Sequence, residues 1–464
     1  MRLWSCESGV GRNCARIALG FLFVSFTANA ADLAIAVDGP PVTVAPEKPG
    51  QPLRLAFRAQ AGQRLGLGVT ALKFVPASAT GVAFTVKQPD GQAVRGLEML
   101  NCFPAGAEGA CDGEFTVAAT GTHVIDVDVP FSAAPRFSIQ ISSAVSRSLA
   151  IGKGEAVALS RPGQDAWFAL TVEAGQDVAV GLRDVASGDR NARFSLRIHR
   201  PDGSLVGEAG AHMRLGASLP LGGGAPAGTY RVEVDPDRGA TGSFVVAATV
   251  TPQAPDGALD IASGVNEELR FAFSAGDGQS ASVGLDNIAH TPDVDSESRL
   301  LVVGPDGKRL NTLYCRTRAR GQPVPCKVKV ADLKAGRYTI VVSPPPGASV
   351  SGTLYRTQDH TAKLDPDSPN RIDLRQAGQV ARYRFAGKAG ERMGVAIARN
   401  VTDDKSRVFV TLLGPPDAPT AMRGTGLLQA SVQIPAFELP VTGTYTLLVD
   451  AGFRTVSVTV SLIH

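Results

Sequence analysis

Gly228-Thr229-Tyr230-Arg231-Val232-Glu233-Val234-Asp235 is the stretch on which the reading of the fold turns. After the glycine, Tyr230, Val232 and Val234 alternate with Arg231, Glu233 and Asp235. Successive side chains of an extended strand point to opposite faces, so this alternation predicts a strand with one face in a core. The marker recurs at Gly121-Thr122-His123, Gly336-Arg337-Tyr338 and Gly443-Thr444-Tyr445, each time opening an apolar strand. Gly121, Gly228, Gly336 and Gly443 are 107, 108 and 107 residues apart. Such even spacing over four copies marks a repeated structural unit.

Two more markers lie upstream in each copy. A Pro-Asp-Gly turn stands at Pro89-Asp90-Gly91, Pro201-Asp202-Gly203 and Pro305-Asp306-Gly307, with a degenerate Gly414-Pro415-Pro416-Asp417 in fourth place. Alternating strands precede them, over Val82 to Lys87, Phe194 to His199, Leu300 to Val303 and Val408 to Leu413. Further upstream are turn glycines at Gly62, Gly175, Gly278 and Gly390. Five and seven residues before these glycines stand Phe57 and Leu55, Leu170 and Phe168, Phe273 and Phe271, Phe385 and Tyr383, which read as the core face of a strand. Eight residues before them stand Arg54, Trp167, Arg270 and Arg382, which face outward.

Short alternating strands punctuated by 51 Gly and 31 Pro, without helical periodicity, predict an all-β protein. A chain of 464 residues exceeds one core. The expected architecture is four tandem antiparallel β-sandwich domains, jelly-roll or immunoglobulin-like, over residues 31–144, 145–252, 253–357 and 358–464.

Arg2, Arg12 and Arg16 precede or flank an apolar run from Ile17 to Phe26 and the small-residue site Ala28-Asn29-Ala30. These are the parts of a cleaved secretory signal peptide covering residues 1–30. Its removal takes three basic residues from 46 and one acid, Glu7, from 43, leaving 43 against 42 and a net charge of +1. That balance gives no steering toward nucleic acid or a membrane surface. No later stretch reads as a transmembrane segment. The expected location is the periplasm or the medium. There, Cys102, Cys111, Cys315 and Cys326 are expected to form disulfides, Cys102–Cys111 and Cys315–Cys326, each pinning one hairpin by roughly 2–3 kcal/mol.

The turn glycine after the Phe strand, the strand into Pro-Asp-Gly and the terminal Gly-Thr-Tyr strand together resemble the bacterial pre-peptidase C-terminal domain family. The resemblance covers all four copies. It implies a β-sandwich that aids the secretion, stability or substrate attachment of a secreted peptidase, here a separately encoded hydrolase. Some members of that family bind calcium.

No catalytic residues are expected. The histidines are scattered without His-x-x-x-His spacing, and no Gly-x-Ser-x-Gly elbow occurs. An enzyme with a site between domains is the alternative. No cofactor is expected except calcium at Asp293, Asp295 and Glu297, or at Asp403 and Asp404; solvated acidic loops are the plainer reading. His123 stands in the slot of Tyr230, Tyr338 and Tyr445 and is expected to pack a corner of the sandwich. From Lys308 to Arg337 nine basic residues face only Asp332. Among them Arg316, Arg318 and Arg320 alternate, which on one strand would form a stripe able to grip an anionic envelope polymer. The competing reading is a charged edge that resists aggregation. Trp167, facing outward, is expected to stack on a sugar or pack against a neighbouring domain. The overall expectation is an exported, non-enzymatic binding or scaffold protein whose partner is a protein or an anionic polymer.

Overall fold

The computed structural model describes residues 33–77, 80–104, 109–213, 215–222, 224–319, 322–323, 326–400, 408–415, 423–426 and 431–463. The expected leader, Arg320, Asp403 and Asp404 lie outside these residues, and the degenerate fourth turn lies partly outside them. Among the described residues the chain is strand and turn, with a single three-residue 3-10 turn at Asp237–Gly239.

The strands form sheets that share apolar clusters in pairs. In the first pair, one sheet runs in the order Leu33–Ala34, Leu53–Ala59, Gly121–Asp128, Val82–Lys87, Leu100–Cys102. The other runs Val42–Val44, Ala134–Ser143, Arg64–Val75, Gly109–Thr116. Leu55, Phe57, Leu67, Phe84, Ile125, Phe137 and Ile139 fill the space between them. The same order returns around three further cores, centred on Phe168, Phe194 and Phe244, on Phe273, Leu300 and Ile340, and on Phe385, Val410 and Leu447. New leading strands begin at Val145 and His360, while Gln253 makes only a bridge to Ala272. Among the described residues the ladders are antiparallel except at these leading segments, which lie parallel to the following strand, and isolated parallel bridges also join Val37 to Ile141 and Ile151 to Ala248.

The repeated markers have a physical cause. Phe57 lies opposite His123, Leu170 opposite Tyr230, Phe273 opposite Tyr338 and Phe385 opposite Tyr445. The rings stack in three copies, at 5.3, 5.2 and 5.7 Å between centroids. Each tyrosine hydroxyl donates to the carbonyl four residues back, at Pro226, Lys334 or Val441, which gives a buried phenol its partner. Fully buried His123 keeps the stacking, but its ring Nδ1 reaches only Gly121 O, at 3.3 Å. The glycine before each of these residues is required by contact. A Cβ on Gly121, Gly228, Gly336 or Gly443 would stand 2.5–2.7 Å from Cγ of Pro89, Pro201, Pro305 or Pro415. The proline of one marker therefore rests on the glycine of the next, which is why the two recur together.

Candidate functional site

The residues placed eight before the turn glycines do face away from their own cores, and in three copies they meet the preceding sandwich. Trp167 is only 9% exposed, beneath the guanidinium of Arg64 at 4.2 Å and with Arg231 at 5.5 Å. Its ring is covered, so Trp167 offers no open face for a sugar. Arg270 donates to Ser218 Oγ at 3.1 Å. Buried Arg382 donates to Asp359 at 2.6 Å, and Asp359 also accepts from Ser282 at 2.7 Å. Arg54, in the first copy, stays exposed and pairs with Asp126 within its own sheet.

The disulfides Cys102–Cys111 and Cys315–Cys326 are formed. They do not close a hairpin as expected. Leu100–Cys102 and Gly109–Thr116 are edge strands of opposite sheets, as are Arg309–Arg316 and Cys326–Leu333, so each bridge clips the two sheets of one sandwich together. The basic stripe is likewise broken up. Arg316 ends one strand, whereas Arg318 opens a separate two-residue ladder, Arg318–Ala319 with Gln322–Pro323. Arg316 is exposed and pairs with Glu297 at 2.7 Å. Of the acids considered for calcium, Glu297 lies opposite Arg316 in register, while Asp293 and Asp295 are exposed. Three other members of the basic run are spent on contacts between sandwiches. Lys327 and Lys329 pair with Asp450, and Arg337 with Asp177 at 2.9 Å.

A concentration of charge that the sequence reading missed lies between the first and second sandwiches. The Gly109–Thr116 strand brings Asp112 and Glu114; the second sandwich brings Asp165, Glu233 and Asp235. One carboxylate oxygen from each of Asp112, Asp165 and Asp235 lies within 4.8 Å of the others. Arg197 donates to Glu233 at 2.7 Å and to Asp235 at 3.0 Å. The Gly239 N–H donates to Asp112 at 2.8 Å. Burial, then Asp235, pushes Asp112 up to about 7, against the backbone hydrogen bond from Gly239. Burial, then Glu233 and Asp235, lifts Glu114 to about 7, against Arg197 and Arg64. Asp165 is raised well above the carboxylate range by burial and by the surrounding acids. The only clue in the sequence was the outward face Arg231, Glu233, Asp235, unusually charged beside an outward tryptophan.

A pH dependence follows from these shifts. Carboxyls raised in the folded state hold protons that the unfolded chain releases above about pH 4, so folding loses stability as pH rises toward about 7. In metal-free buffer the unfolding midpoint of the first two sandwiches is expected to fall between about pH 5 and pH 8. Urea titrations followed by Trp167 emission test this; a midpoint constant over that range contradicts it.

Two clefts also open between sandwiches. One, of about 190 Å³, lies between the second and third and is lined by Gly181, Ser218, Val250, Glu267 and Arg270. The other, of about 470 Å³, lies between the third and fourth and is lined by Asp277, Gln279, Gln358, His360 and Gln376.

No family model and no curated protein matches the chain. Among solved structures, the CUB1-EGF-CUB2 domains of human MASP-1/3 align at 7% identity and a TM-score of 0.15, over 45% of this chain and 100% of that one. Those of rat MASP-1 align at 8% and 0.15, over 46% and 99%. Tripeptidyl peptidase 2 aligns at 8% and 0.18, over 86% and 35%.

Proposed function

We propose that the chain is an exported, non-enzymatic scaffold of four tandem β-sandwich domains that presents its edge strands and loops to a partner in the cell envelope. The observation that carries this reading is that each sandwich after the first buries an outward-facing position against its predecessor, through Trp167, Arg270 and the Arg382–Asp359 pair. Contacts of that kind dock each module on its neighbour, which suits an array that spaces binding surfaces. Export is supported by the two disulfides, which persist in oxidising compartments. Among the described residues no helix is long and apolar enough to cross a membrane.

The partner is a protein or an anionic envelope polymer. Capture from the envelope fraction with the full chain as bait is the direct test; recovery of a secreted hydrolase would identify the accessory role that the family resemblance implies. Turnover on a hydrolase panel, abolished by one point mutation, would replace the scaffold reading with an enzyme. With Lys327, Lys329 and Arg337 engaged in ion pairs, a polymer would depend on the loop between Cys315 and Cys326. Changing Arg316, Arg318 and Arg320 together to serine is expected to weaken polymer binding at least tenfold, the loss of about 1.4 kcal/mol, and to shift the unfolding midpoint little, since exposed pairs contribute about 0–1 kcal/mol. Unchanged binding in a pull-down with envelope polymer removes these three arginines as the site that grips it.

A further inference from the structure

We propose that the first and second sandwiches are joined by a divalent cation, calcium by size, held between Asp112, Asp165 and Asp235. The reading is independent of what the scaffold binds. Calcium takes carboxylate oxygens at about 2.3–2.6 Å, so two ligands of one ion stand at most about 5 Å apart. The three oxygens here lie within 4.8 Å of one another. Asp112 uses Oδ1 for Gly239 and Asp235 uses Oδ2 for Arg197, which leaves each an oxygen for a metal.

The molecule shows independently what belongs at this place. Asp112 and Lys327 both lie nine residues before the glycine of their Gly-x-Tyr marker (Gly121 and Gly336), and Glu114 and Lys329 both lie seven before it. Asp235 and Asp450 both lie seven after theirs (Gly228 and Gly443). Strand register confirms the match: Asp112 lies opposite Gly68 and Lys327 opposite Gly284, each six residues after its turn glycine. Between the third and fourth sandwiches, Asp450 therefore meets the ammonium of Lys327, with Lys329 at 2.5 Å. Between the first and second, the equivalent Asp235 has Arg197 on one oxygen and meets Asp112 and Glu114 besides. The junction that lacks the lysines has gained Asp165, where the fourth sandwich has Val380. Asp165 is 4% exposed, and the charged neighbours that act on it most are Asp235, Glu114, Asp112 and Glu233, all acids. A buried carboxylate with that company requires a positive charge or a proton. The lysine at the sister junction marks the position as cationic, and three converging carboxylates favour a divalent ion.

The test uses the full chain freed of metal by chelation, with terbium(III) as the probe. Trp167, two residues from Asp165 and the only tryptophan outside the leader, serves as the sensitiser. Terbium emission excited through Trp167 is expected to rise on binding and to be displaced by calcium. Calcium at a hundredfold excess over its Kd is expected to raise the unfolding midpoint by about 5–10 °C. Asp165→Asn should abolish both responses while its metal-free midpoint stays at or above that of the parent, because a like charge has been removed. Asp112→Lys should raise the metal-free midpoint and abolish the calcium response, since it restores the ammonium found at the sister junction. Absence of both responses in the parent, their persistence in Asp165→Asn, or a midpoint that follows pH but not calcium overturns the proposal.

Discussion

Replacing Asp450 by alanine is expected to destabilise the junction between the third and fourth sandwiches by about 3–5 kcal/mol, because it strands a buried ammonium. Lys327 has a side chain only 9% exposed. Besides Asp450 it has the carbonyls of Gly378 and Gly452, at 3.3 and 3.2 Å, and the Phe453 ring at 5.7 Å. Two carbonyls do not neutralise a charge, so without the carboxylate Lys327 must release its proton or the junction must open to water. Burial works against the Asp450 carboxylate too, but Lys327 and Lys329 outweigh it and hold the group below its usual range. The contribution of Asp450 is therefore present above the unfolded carboxyl value of about 4 and is lost as pH falls through the lower folded one. Chemical denaturation of Asp450→Ala should show an earlier transition for the fourth sandwich. Lys327→Met combined with Asp450→Leu should recover most of the loss, since a buried pair replaced by apolar groups is often neutral. An alanine variant that unfolds with the parent's midpoint would show that water already serves Lys327.

The two homologous junctions should thus respond to pH in opposite senses. Acid weakens the lysine-bearing one, and in metal-free buffer a rise of pH toward about 7 weakens the acid-bearing one. Their shared geometry explains why the repeats were legible in the sequence and the junctions were not. Tyr338 beside Phe273, or Gly336 against Pro305, is a contact inside one copy, so the same residue types return at the same offsets each time. Asp112 and Lys327 occupy one structural position with opposite charge, because what each must satisfy comes from the next copy along the chain. Alternation places Trp167 and Arg382 on an outward face, yet only the folded neighbour decides that this face is buried. For the same reason the run from Lys308 to Arg337 reads as a free basic surface, although Lys327, Lys329 and Arg337 find their acids about 120 to 160 residues away in sequence. Spacing predicts the disulfide pairs but not the sheets they join: it reports which cysteines are near, but the crossing from one sheet to the other is a property of the topology.

Gly66→Val is expected to separate the first two sandwiches while leaving both folded. A Cβ on Gly66 would stand 1.6 Å from the carbonyl oxygen of Gly163, far inside any van der Waals contact, and both partners are backbone. One on Gly68 would stand 2.4 Å from the carbonyl carbon of Pro162, so the two chains touch along a short glycine seam. Gly66 lies between Leu65 and Leu67, whose side chains enter the first core, so its own missing side chain points at the second sandwich. Valine suits an extended strand and disturbs nothing inside the first sandwich. The cost falls on the seam. Relieving the overlap must lengthen the bonds from Ser142 to Pro162 O, from Arg161 to Gly39 O and from Gln164 to Ser143 O, now 2.9–3.1 Å. It must also lift Arg64 from Trp167 and pull Asp112 away from Gly239. The variant should therefore lose the joint unfolding of the two sandwiches, shift Trp167 emission to the red as water reaches the ring, and no longer respond to calcium. Gly188→Ala is the control, because a Cβ there meets nothing within 4 Å. A Gly66→Val protein with unshifted Trp167 emission and a single transition would mean that the sandwiches do not dock through this seam.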